Sequence, residues 1–208
     1  MELSSLPHGV TIGANDSLCP KRHGVLTLGD TIALAKGRVH EVLGESADCF
    51  ALTVAANLKG PVIWIGLGRD IASLNPCAVQ DFIDPLRLTI VEAVSRQEAL
   101  WSCEQALRAQ GIQCVILELV RGIDLKESRR FQLAAEESGT IGLILISGRA
   151  HTSAADTRWH CTPSFDGEMS WDWACTKSRH GGLGTWRVKW TEGKDGSNTI
   201  HLVATAAA

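Results

Sequence analysis

The chain has 208 residues, 45% hydrophobic and 21% charged, with a formal net charge of -3 and a pI of about 6.2. That length supports one domain with a full core, and the mix excludes a disordered chain. The charge balance gives no global attraction to nucleic acid or to an anionic membrane.

The first residues, MELSSLPHG, lack the basic-then-apolar pattern of a signal peptide, and no apolar stretch is long enough to cross a bilayer. A cytoplasmic protein without membrane contact is expected. Residues 1–30 are rich in Gly, Asn, Asp and Ser without a sustained period, and are expected to form an arm or irregular lead-in. The core domain is expected over 31–204, its last part (157–204) being antiparallel strands.

Strand and helix then alternate. VHEVLG (39–44) predicts a strand and DCFALTVAANL (48–58) a helix. PVIWIGL (61–67) is a nearly continuous apolar run, as in a strand covered on both faces. A short helix is expected near 78–83 and a strand over RLTIVEA (87–93). SRQEALWSCEQALRAQG (95–111) is the clearest helix: Ser95 and Glu98 have capping-box spacing, Leu100, Cys103 and Leu107 share a face, and Gly111 ends it. IQCVILELV (112–120) predicts a buried strand. DLKESRRFQLAAEESG (124–139) predicts a helix capped by Asp124 and stopped by Gly139, and TIGLILIS (140–147) predicts another strand. Short connections between such elements are the signature of right-handed βαβ units and a mainly parallel sheet.

The tail changes period. TRWHCTP (157–163), EMSWDWACT (168–176) and TWRVKW (185–190) alternate apolar and polar residues. Trp171, Trp173 and Cys175 share one strand face, and Trp186, Val188 and Trp190 share another, with the Gly-rich RHGGLG between them. This predicts an antiparallel hairpin extension with one covered face. The apolar stretch IHLVA follows.

None of the seven cysteines forms a C-x-x-C pair, and the seven histidines are scattered. Reduced, buried thiols and structural or surface histidines are expected, without metal or cofactor.

The turn after the first strand of the alternating series is where a nucleotide would bind in such a fold. A working phosphate loop, G-x-x-x-x-G-K-[ST], needs glycines so that backbone N–H groups can close on phosphate. It also needs a Lys for the terminal phosphates and a hydroxyl for Mg²⁺. Here Gly44 holds the first Gly position, Cys49 replaces the second Gly, Phe50 the Lys and Ala51 the hydroxyl. Asp48, expected to cap the helix, and Glu45 add negative charge where phosphate would sit. ATP hydrolysis is therefore not expected.

With these segments the order of elements resembles the RecA core. VHEVLG and its degenerate loop look like that family's first strand and phosphate loop. Gly68 or Arg69 stands where the family carries its catalytic glutamate, Glu118 in VILEL where it carries the Mg²⁺-linked aspartate, and Gly148 where it carries its nucleotide-sensing glutamine. The hairpin 168–190 looks like the family's closing strands, and the 147–157 connection is shorter than the DNA-binding loop it would replace. More specifically, IALAKGRVHEVLG, RLTIVEA with EALWSCEQAL, DLKESRRFQLAAEESG with TIGLILI, and AADTRWHCTPS before WDWACTKSRHGGLGTWRVKW together resemble the ImuA family over about residues 28–190. That family consists of RecA-like accessory proteins of bacterial mutagenesis cassettes.

The resemblance implies a non-catalytic role in error-prone translesion synthesis after DNA damage (SOS mutagenesis). The implied partners are an ImuB-type inactive Y-family polymerase relative, RecA, and an error-prone polymerase of the replicative alpha-subunit type. SulA, a cell-division inhibitor that also resembles a RecA core without a nucleotide site, marks the alternative of binding a tubulin-like GTPase.

Without catalysis, function should lie on surfaces. Five of the seven tryptophans are in the tail. Cross-strand packing against the core is the first expectation, and an interface role the alternative. Lys126, Arg129 and Arg130 are expected on a solvated helix face pairing with Glu127, Glu136 and Glu137. Trp171, Trp173, Lys177, Arg179, Trp186, Arg187 and Lys189, with His180 nearby, form the candidate surface for a partner or single-stranded DNA. Residues 151–208 carry six Lys or Arg against six Asp or Glu, so DNA binding by the chain alone is not expected.

Overall fold

The computed structural model describes residues 23–29, 31–68, 74–165, 169–192 and 198–204. Eleven strands are found among the described residues: β1 (Val25–Leu28), β2 (Ile32–Ala35), β3 (Val39–Leu43), β4 (Val62–Leu67), β5 (Leu88–Ala93), β6 (Cys114–Leu119), β7 (Ile141–Ile146), β8 (Thr157–Phe165), β9 (Met169–Ser178), β10 (Gly184–Glu192) and β11 (Asn198–Ala204). The described helices are α1 (Ala47–Ala56), α2 (Pro76–Gln80), α3 (Arg96–Arg108) and α4 (Leu125–Ser138). Residues 1–22 of the expected lead-in lie outside the described residues. From Val25 the chain is already ordered into the β1–β2 hairpin, whose Leu26, Leu28, Ile32 and Leu34 are buried. The lead-in expected to reach residue 30 therefore gives way to core structure earlier. This pattern was hidden because each strand is only four residues long.

Nine strands form one mixed sheet in the order β11-β10-β9-β8-β3-β7-β6-β4-β5. From β5 to β8 neighbours run parallel, and from β8 to β11 antiparallel. The expected α/β class with a mainly parallel sheet and a closing hairpin is borne out. One detail differs: β8, expected as part of the antiparallel extension, pairs parallel with β3 and antiparallel with β9. Its alternating sequence reports one polar face and not the direction of its neighbours.

The apolar runs of β4, β6 and β7 are buried because helices or hairpins cover both faces. At the sheet edge, β5 has half its residues exposed despite a similar sequence. One face packs on α1, α2 and the β1–β2 hairpin, the other on α3 and α4. Asp124 and Glu127 close a capping box on α4, with bonds of 2.8 and 2.9 Å, and Gly139 stops it at φ 84°. On α3, Ser95 Oγ accepts from Glu98 N–H as expected, but the Glu98 carboxylate accepts from Val94 N–H rather than from Ser95.

The α3–α4 seam holds ion pairs that the sequence did not place. Arg130 reaches the largely buried Glu104, and Arg96 meets Glu127 at 2.8 Å. On the same side of the sheet the fully buried Glu41 pairs with Arg158 at 2.7 Å. No helix among the described residues is long and apolar enough to cross a membrane.

Candidate functional site

The degenerate phosphate loop lies between β3 and α1, against the middle of β8. Gly44 has φ 97°, and a Cβ there would overlap the carbonyl oxygen of Cys161, so glycine is required both for the backbone angle and for the close approach. Ser46 N–H donates to that same carbonyl at 3.2 Å, Ala47 N–H to Gly44 O, and Phe50 N–H to Ser46 O. These donors, of the kind a phosphate loop turns toward its ligand, are committed within the protein.

The helix cap differs from expectation. Ser46, not Asp48, is the N-cap residue of α1, and its side chain makes no capping bond. Asp48 sits in the first turn, where its carboxylate accepts from Cys49 N–H at 2.9 Å. The chain enters the helix two residues early because the turn at Gly44 is pinned to β8.

The substituted positions have become core. Phe50, in the place of the phosphate-binding Lys, is fully buried, with its ring centroid 5.2 Å from Trp159 and 4.9 Å, edge to face, from Trp173. Trp159 in turn meets Trp186 at 5.5 Å. Ala51 is also fully buried. Burial and the neighbouring Asp48 charge push the Cys49 thiol up to about 12, and burial raises Cys161 well above its usual range, so both stay protonated at neutral pH. Glu118, at the metal-linked position, accepts a 2.8 Å bond from the indole N–H of the fully buried Trp64. Gly148 donates its N–H to Val120 O at 2.9 Å, and a Cβ there would press on that same oxygen.

The candidate partner surface does not assemble as one patch. Trp171 and Trp173 are buried, 7% and 0% exposed, on the core face of β9, and Trp186 is half-buried on the adjacent strand. Alternation places these three rings against α1 and β8, in the packing arrangement; the side chain of Trp190 lies outside the described residues. Arg187 forms a two-pronged pair with Asp172, both bonds at 2.9 Å. Lys177 donates to Ser153 O at 2.9 Å, and burial lowers its pKa. Lys189 is half-buried opposite Ser170. Arg179 is exposed at the turn after β9, where its backbone N–H holds Asp156 O. The Asp172 partner of Arg187 comes from the neighbouring strand and the Ser153 partner of Lys177 from the β7–β8 connection, which no spacing along the chain reveals.

One cleft, of about 460 Å³, opens beside the loop at the carboxyl ends of β3 and β7. Gly44 and Glu45 form one wall, Ser147 and Gly148 another, and His160, Thr162 and Phe165 of β8 the third. Sequence reasoning missed the β8 residues. The only signal was Phe165, an apolar residue at the end of an alternating strand. Among the described residues no group of three or more His, Cys, Asp or Glu side chains stands in a metal-holding arrangement.

No protein-family model matches the chain. Protein ImuA from two strains of Caulobacter vibrioides is 28% identical to it over 208 residues, covering 88% of this chain and 84% of that protein. The chain is similar to ImuA. The resemblance read from its segments is thus borne out, and a match to ImuA over 88% of the chain cannot be confined to a single motif.

Proposed function

We propose that the chain is a non-catalytic, RecA-like adaptor in error-prone translesion DNA synthesis, acting by protein contacts with an ImuB-type inactive polymerase relative and with RecA. The observation that carries the proposal is Phe50. A site that bound and hydrolysed nucleotide would need a cation free to reach phosphate there, and this position instead holds a ring packed between Trp159 and Trp173. The commitment of the loop's N–H groups to Cys161 O and Gly44 O supports the same reading, as does the similarity to ImuA. The RecA-like part of the proposal is supported by the placing of the loop strand β3 inside a parallel sheet and by the antiparallel strands that close it.

The test is a pull-down with the purified chain as bait against ImuB, RecA, the error-prone alpha-subunit polymerase and the tubulin-like division GTPase of the same bacterium. A thermal-shift series with nucleotides and Mg²⁺ accompanies it. Retention of ImuB with no nucleotide response is the expected result. Retention of the division GTPase alone would replace the adaptor reading with that of a SulA-like inhibitor, and a Mg²⁺-dependent nucleotide shift would end the non-catalytic one.

A further inference from the structure

The cleft at the ends of β3 and β7 owes its existence to topology. After β3 the chain turns into α1 on one face of the sheet. After β7 it crosses the other face, where Ala154 N–H is held by Ser128 of α4 and Gln132 of α4 donates to Ala154 O. Adjacent parallel strands whose connections leave in opposite directions open a crevice at their carboxyl ends, the usual place for a ligand in an open α/β sheet. At about 460 Å³ the crevice is large enough for two or three side chains of a partner.

Its chemistry is not that of an anion site. No Lys or Arg lines it, and Glu45, an exposed carboxylate, stands in its wall with exposed Asp48 in the adjoining first turn of α1. Leu43, Ile146, Pro163 and Phe165 give the remaining wall an apolar character. At the rim Phe165 is 92% exposed, and Met169, directly opposite it in the β8–β9 register, is 66% exposed. Two large apolar side chains held side by side on paired strands present a shoulder that water solvates poorly, next to the Glu45 carboxylate, for which no ion pair is found among the described residues.

We propose that this cleft docks a segment of a partner protein that sets a Lys or Arg against Glu45 and an aliphatic or aromatic side chain against Phe165 and Met169. The proposal rests on the adaptor reading and names its contact surface. Opposite charge at the mouth selects the basic residue, and apolar burial at the rim supplies most of the affinity.

A random linear peptide display library selected on the intact chain tests it. Enriched peptides should share a Lys or Arg close to a large apolar residue. Their binding should fall at least roughly tenfold, about 1.4 kcal/mol, in Phe165→Asp and again in Glu45→Lys. Peptides with the basic residue changed to Glu should regain binding to Glu45→Lys. Both positions are exposed, so unchanged circular dichroism and thermal unfolding establish that the variants are folded. Failure to enrich such peptides, or binding to either variant as tight as to the unmodified chain, overturns the proposal. So does concentration-dependent self-association abolished by Phe165→Asp, which would make a second copy the occupant. Repeating the ImuB pull-down with these variants separates the two readings. Full retention by both variants leaves the adaptor intact and removes the cleft. No retention by the unmodified chain removes the adaptor, while the peptide result still reports on the cleft.

Discussion

Phe50 meets Trp173 edge to face with ring centroids 4.9 Å apart. The residue standing in for a catalytic cation is thereby bound to the closing hairpin. The loop that opens the sheet and the strands that end it form one hydrophobic cluster with Trp159, Cys161 and Val188. Restoring the missing lysine is then expected to damage the protein. Phe50→Lys removes a fully buried ring and puts a charge in its place, which should cost at least about 3 kcal/mol. For a chain of this size that lowers Tm by about 6–12 °C. Urea denaturation checks the stability, and a phosphate-release assay should stay at background. A stable F50K variant that hydrolyses ATP would contradict the packing account.

Gly44 and Gly111 provide a matched pair. Both have left-handed φ, 97° and 89°, but a Cβ at Gly111 meets nothing within 4 Å while one at Gly44 strikes the Cys161 backbone. Gly111→Ala should cost about 1 kcal/mol, the backbone penalty alone. Gly44→Ala should cost at least about 2 kcal/mol more, because the loop must leave β8. Equal losses by chemical denaturation would show that the contact between the loop and β8 adds nothing.

The Trp64–Glu118 bond predicts a contrast between two substitutions. Glu118→Gln keeps an oxygen for the indole N–H and should change stability by less than about 1 kcal/mol. Glu118→Ala leaves a buried donor unpaired, at about 1–3 kcal/mol. Trp64 fluorescence should shift in the Ala variant and not in the Gln variant. If Gln is as damaging as Ala, the carboxylate charge matters beyond this bond.

His40 gives a pH dependence. It is fully buried, bonded to Thr157 Oγ1 and to Ala35 O, and burial lowers its pKa below the ordinary 6.5, against the opposing pull of Asp156. As pH falls below 6.5 the unfolded chain takes up a proton that the folded chain refuses. Stability should therefore decline from pH 6.5 downward, with a slope of up to about 1.4 kcal/mol per pH unit from this group, and flatten once the folded pKa is passed. Unfolding free energies measured between pH 5 and 7.5 should show this slope in the unmodified chain and a shallower one in His40→Gln. Parallel profiles would assign the dependence to other groups.

Along the chain, the strand and helix order from Val39 to Ile146 was legible because apolar runs, capping residues and stop glycines are local signals. Asp124, Glu127 and Gly139 act within one helix, so spacing alone places them. The same holds for the losses at Cys49, Phe50 and Ala51, which are matters of side-chain chemistry. The β1–β2 hairpin, the parallel pairing of β8 with β3, and the cap at Ser46 were not legible, since each is fixed by a neighbour distant in sequence. The sequence by itself determined the class of fold and which chemistry the loop had lost. Only the tertiary structure decided what replaced it: Phe50 enclosed by tail tryptophans, Glu118 turned to an indole, Arg187 tied to Asp172, and an apolar-rimmed cleft with Glu45 in its wall beside the loop. The reason is that local periodicity records which face of an element is apolar, whereas a side chain's partner is chosen by the order and register in which the strands assemble.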